Sequence, residues 1–272
     1  MALGPWSVNP AWQNFSSLYR EVRSAAESPT DMEKSHHLTA ALYFGISALE
    51  AFLNREMRQH LKASKSEVEI FDILRKGRLI TKLEAWPSQI LGESLPLAAE
   101  TIELLKLCND VRGDLTHPKT FGHDIYERLL NIEPAAVVNA VALYIVTYHV
   151  AQDTKYPYWI FGWNYLNPRQ GAHETILVND QQFLFSLVAL GFDVPSGDWA
   201  RAEHWKDRYF KSVDGYKAID EALGRTKGCE PKYDRFPFQP KLCSRWWTAE
   251  HQRSCGHVSK ASLAAARRMD EA

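Results

Sequence analysis

The chain has 272 residues, of which 45% are hydrophobic and 24% charged, and its formal net charge is −1. That composition suits a globular protein with a sizeable core and excludes disordered and collagen-like chains. Four cysteines are too few for a disulfide framework, and the opening Met-Ala-Leu-Gly-Pro-Trp lacks the basic and apolar regions of a secretory signal, so a cytoplasmic location is expected.

The segment 10–28 carries Trp12, Phe15, Leu18, Tyr19 and Val22 on one helical face. Thr30 and Glu33 have the spacing of a capping box, and the stripe Leu38, Leu42, Ile46, Leu49, Leu53, Met57, Leu61 predicts a long helix over 31–62. Ser64 and Glu67 offer a second capping box for a short helix ending at Gly77. Residues 78–95 are ambiguous, being interrupted by Pro87 and Gly92. A helix is expected over 97–116, then a loop over 118–133 with at most a single helical turn. Pro134 opens a further helix to about 153 that is apolar almost all round. The run 134–152 has no Asp, Glu, Lys or Arg, but it contains Asn139, His149 and Gln152 and reads as a buried helix rather than a membrane span. Short connections between these helices imply an all-α, up-and-down bundle occupying residues 1–155.

Residues 156–272 read as a C-terminal extension or small helical subdomain. Six aromatics crowd the segment 156–168 (Tyr156, Tyr158, Trp159, Phe161, Trp163 and Tyr165), read either as a loop packed on the bundle or as a base-stacking platform. Helices are expected from Asn179 to Leu190, from Ser196 or Asp198 onward with Trp199, Trp205, Tyr209 and Phe210, and weakly over 213–224. Residues 1–150 and 151–224 each carry a net −3, whereas 225–272 carry +5 in an aromatic, irregular stretch that would attract a polyanion.

Chemistry concentrates in two helical stretches. In 104–118, Leu-Leu-Lys-Leu-Cys-Asn-Asp-Val-Arg-Gly-Asp-Leu-Thr-His-Pro, Pro118 biases His117 out of helical geometry. Arg112 and His117 therefore sit near one helix terminus, a permanent cation beside a side chain suited to proton transfer near neutral pH. In 38–54, Glu50 is the one charged residue of an otherwise apolar run, and Asn54 follows one turn later on the same face. A buried acid needs a partner, and Arg112 is the expected one.

Together, Ala48-Leu-Glu-Ala-Phe-Leu-Asn54 and Arg112-x4-His117 resemble the HEPN superfamily over roughly residues 10–155. The resemblance implies a metal-independent endoribonuclease that forms 2′,3′-cyclic phosphates, with His117 as acid or base, Arg112 on the scissile phosphate, and Glu50 and Asn54 orienting Arg112. It also implies RNA as substrate, a homodimer in which two Arg/His pairs face each other, no cofactor, and a toxin or antiviral-defence role with a nucleotidyltransferase-type antitoxin or another defence partner. The sequence departs from the family at Gly113, where a polar residue is usual, with Asp114 as the nearby substitute. The alternative is a non-catalytic helical module that binds RNA or a protein.

A weaker constellation is Cys229, Cys243, Cys255 and His257, with His251 as an alternative ligand. It lacks the tight Cys-x2–4-Cys knuckle of structural zinc sites, so separate reduced cysteines are the expected state. Glu33-x-x-His36 has no second copy, which excludes a paired di-iron motif.

Overall fold

The computed structural model describes residues 9–117, 124–161, 164–166, 175–177, 187, 192–195 and 198–224. It divides into two compact units, Met1–Gln152 and Asp153–Ala272.

The first unit is a helical bundle. Helix α1 (Pro10–Glu27) starts where the Asn9 side chain accepts from the Trp12 amide, with proline at its first position. It buries Phe15, Leu18 and Val22 against α2 (Asp31–Leu61), each large side chain contributing about 2 kcal/mol of apolar burial. The hydroxyl of Thr30 caps α2 by accepting from the Glu33 amide. Leu38, Leu42, Ile46, Leu49, Leu53 and Met57 of the expected stripe are buried.

Helix α3 (Glu67–Lys76) starts two residues later than its expected cap. Ser64 donates instead to the Leu61 carbonyl and closes the end of α2, leaving Ser66 and Glu69 to form the capping box.

The ambiguous segment is a helix, α4 (Leu79–Leu91), ended by Gly92 in the left-handed conformation at φ 83°. Pro87 lies inside it and cannot donate to the Leu83 carbonyl. The buried Tyr144 hydroxyl donates to that carbonyl at 2.8 Å, so the acceptor the proline leaves open is satisfied from another helix.

Helix α5 (Ala99–Thr116) is followed by α6 (Asp124–Leu130), longer than the single turn expected there. Helix α7 (Pro134–Ala151) is long and apolar enough to cross a membrane by composition, yet Val137, Val141, Tyr144, Ile145 and Tyr148 are buried, and it packs on α1, α2 and α5.

The second unit holds a 3-10 turn (Tyr158–Phe161), a short antiparallel pair β1 (Asn164–Leu166) and β2 (Thr175–Leu177), and helices α8 (Trp199–Phe210) and α9 (Val213–Gly224). Asp198 is the cap of α8. The strand pair was not expected from the sequence. Most of the expected helix 179–190 lies outside the described residues. Tyr156 and Phe161 join this unit's own core. Tyr156 meets Phe210 edge-on at 5.7 Å and donates to the Tyr209 carbonyl at 2.7 Å, and Phe161 stacks on Tyr216 at 5.2 Å. With Trp159 also buried, three of the six aromatics are core side chains and cannot form a base-stacking platform.

Candidate functional site

Arg112 lies on the last full turn of α5. His117 ends that helix in non-helical geometry (φ −132°, ψ 71°), its amide donating to the Gly113 carbonyl, as the following proline requires. Arg112 is half-buried and His117 exposed. Among the described residues neither side chain has an ion-pair or hydrogen-bond partner.

The Thr116 hydroxyl donates to the Arg112 carbonyl and is hydrogen-bonded to the Tyr43 hydroxyl of α2, which ties the last turn of α5 to α2. Arg112 is one turn before Thr116 and shares its face.

Glu50 and Asn54 do come together, but around a different cation. Lys82 of α4 donates to Glu50 Oε1 at 2.6 Å and to Asn54 Oδ1 at 2.9 Å. The expected Glu50–Arg112 pair is therefore replaced by Glu50–Lys82. The physical reason is burial. Lys82 is 1% exposed, so its ammonium needs an anion close by, whereas the half-buried guanidinium of Arg112 can remain hydrated. Its stem passes Gly77, where an added Cβ would lie 3.0 Å from Lys82 Cε, and its ammonium sits 5.2 Å from the centre of the Trp86 ring.

Sequence reasoning missed Lys82 because Pro87 obscured the helix that carries it. A signal was present. Leu79, Leu83 and Trp86 define an inward stripe, and Lys82 lies within it.

These links fix the helix directions. Lys106 of α5 pairs with Glu84 of α4 at 2.8 Å, two residues from Lys82, while Thr116 meets Tyr43. Moving back along α5 thus corresponds to moving forward along α2, and the two helices are antiparallel. Arg112 lies about 6 Å along the axis of α5 from Thr116, on the side toward Lys106. A partly exposed polar seam runs along α2: Tyr43 bonds to Thr116, which Arg112 and His117 flank on α5, and further along Glu50 and Asn54 hold Lys82.

Asp114 is committed elsewhere, accepting from Arg128 of α6 at 2.9 Å, so it does not replace the polar group absent at Gly113. Cys108 is buried, which pushes its thiol up to about 12 and leaves it unreactive. The weak zinc candidates Cys229, Cys243, Cys255 and His257 lie outside the described residues, as does His251.

No protein-family model, no curated protein and no solved structure matches this chain.

Proposed function

We propose that the first unit is a metal-independent endoribonuclease of HEPN type, acting at the end of α5. The observation that carries this reading is the placement of a half-buried arginine and an exposed histidine at one helix end, with no partner among the described residues to compete with a substrate. In the proposed reaction His117 takes the proton of a ribose 2′-hydroxyl. The 2′-oxygen then attacks the adjacent phosphorus, and the bond from phosphorus to the 5′-oxygen breaks. That oxygen leaves with a proton from an imidazolium, giving a 2′,3′-cyclic phosphate and a 5′-hydroxyl. Arg112 binds the charge gathering on the phosphate oxygens. The nucleophile belongs to the RNA, so the reaction needs no metal. A homodimer pairing two such ends would supply a second histidine for the leaving oxygen. A toxin or antiviral-defence component is the biological role that fits this chemistry.

A second reading has one observation in its favour. The acid and amide expected to orient Arg112 hold Lys82 instead. A non-catalytic module binding RNA or a protein through the same seam would need no oriented guanidinium.

Incubation of a mixed RNA pool with purified protein in EDTA separates the two. Cleavage by the wild type that disappears in Arg112→Ala and in His117→Ala, with helical circular dichroism unchanged, is the expected result. No cleavage by the wild type moves the assignment to the binding module. Equal cleavage by all three proteins removes Arg112 and His117 from the site.

A further inference from the structure

The second unit contains a cleft of about 500 Å³ between the segment around Asp193 and helix α8. Arg201, His204 and Arg208 line it at i, i+3 and i+7, one face of the helix, together with Trp205 and Tyr209.

Charge is sorted around α8. Its acids Glu203 and Asp207 lie on another face and are met by lysines: Lys155 at 2.6 Å and Lys206 at 2.9 Å from Glu203, and Lys155 at 3.5 Å from Asp207. The guanidinium groups of Arg201 and Arg208 form no ion pair among the described residues, and both residues are exposed, as is His204. The cleft thus presents two uncommitted guanidinium groups and an imidazole.

Its floor is aromatic. The ring it offers is that of half-buried Tyr209, which packs at 4.5 Å between ring centres on the buried Trp205; Phe192 braces both edge-on, and Arg208 lies 5.8 Å from the Tyr209 ring centre. On the opposite wall, Asp193 brings a single carboxylate, an acceptor for hydroxyl or amino groups.

Guanidinium forks recognise phosphate, aromatic rings recognise the flat face of a base, and a carboxylate recognises ribose hydroxyls or an exocyclic amine. A simple anion would use the first feature and leave the other two idle. We propose that this cleft binds a nucleotide unit, phosphate together with base, either free or within single-stranded RNA. The site belongs wholly to the second unit and does not depend on the nuclease reading of the first.

The test uses the full chain and a fluorescein-labelled 2′-O-methyl RNA of about ten nucleotides, which has no free 2′-hydroxyl to react and is long enough to cover one such cleft. Fluorescence anisotropy is measured for the wild type, Arg201→Gln, Arg208→Gln and the control Lys217→Gln, an exposed lysine of α9. Each arginine variant is expected to bind about five- to tenfold more weakly and to lower the salt slope by about one, while the control binds as the wild type does. Competition by AMP assigns the site to a free nucleotide, and resistance to AMP assigns it to the RNA strand. Binding unchanged in both arginine variants, or no binding of the labelled RNA by the wild type, overturns the proposal. Competition by inorganic phosphate as effective as that by AMP overturns the base-recognition part and leaves an anion site only.

Discussion

The ammonium of Lys82 meets Glu50 Oε1 at 2.6 Å, yet the two side chains live in different solvents: Lys82 is 1% exposed and Glu50 39%. Breaking the pair from its two ends should therefore have unequal effects. Lys82→Met leaves a carboxylate that water can reach and should cost about 1 kcal/mol, whereas Glu50→Ala strands a buried ammonium and should cost about 3 kcal/mol. Urea denaturation of the two variants measures both, and the reverse order would contradict the burial argument.

Two tyrosines one turn apart on α7 should respond oppositely to loss of their hydroxyls. Tyr144 donates to the Leu83 carbonyl, so Tyr144→Phe leaves a buried acceptor open and should destabilise by about 2 kcal/mol. The Tyr148 hydroxyl is buried without a hydrogen-bond partner among the described residues, so Tyr148→Phe should be neutral or stabilising by about 1 kcal/mol. Thermal unfolding read by circular dichroism should show a lowered Tm for Tyr144→Phe and an unchanged or raised Tm for Tyr148→Phe.

Stability should depend on His149. Burial first, and the nearby Arg55 charge second, push its pKa down from 6.5 to about 4. The unfolded chain then binds a proton below 6.5 that the folded chain refuses until about pH 4. The stabilisation is complete above the unfolded value and is lost as pH falls through this window. The loss over the whole window is on the order of 3–4 kcal/mol, since each tenfold difference in proton affinity between the folded and unfolded chains is worth about 1.4 kcal/mol. Urea midpoints of the wild type should fall between pH 7 and pH 4.5 by more than those of His149→Gln. Parallel curves would remove His149 as the cause.

Gly113 and Gly215 should also behave oppositely. An added Cβ at Gly113 meets nothing within 4 Å, so Gly113→Ala should stabilise α5 by about 1 kcal/mol. At Gly215 the same atom would lie 2.2 Å from the Tyr209 carbonyl oxygen, so Gly215→Ala should cost about 3 kcal/mol by forcing α8 and α9 apart. Differential scanning calorimetry of the two variants checks both signs.

The long helices were legible because apolar spacing and caps agree there: Thr30 starts α2 and Pro134 starts α7 at the positions that the sequence indicates. The all-helical bundle follows from those elements. The pairing of Glu50 was not legible, since its partner lies in a helix with an internal proline whose lost hydrogen bond is replaced by a hydroxyl 61 residues away. No local pattern reports such a replacement. The capping box of α3 was displaced for a simpler reason, as Ser64 and Ser66 are equally plausible caps until the length of the preceding helix is known. The cleft on α8 was obscured because its hydrophobic periodicity is plain, while the sorting of its charges depends on Lys155, which no helical spacing connects to it.

The hydrogen bond from Tyr144 to Leu83 also has a consequence for the order of assembly. A chain emerging from the ribosome can form the α1–α2 hairpin from its own neighbours, but α4 must wait for its missing donor until α7 has been synthesised. Until then the segment that carries Lys82 can dock on α2 through Glu50 and Asn54, but the Leu83 carbonyl stays without its donor. The Leu83 carbonyl is therefore satisfied last, and a chain halted before residue 134 should hold a stable helical hairpin with α4 docked on α2 yet more open to proteases than in the full chain.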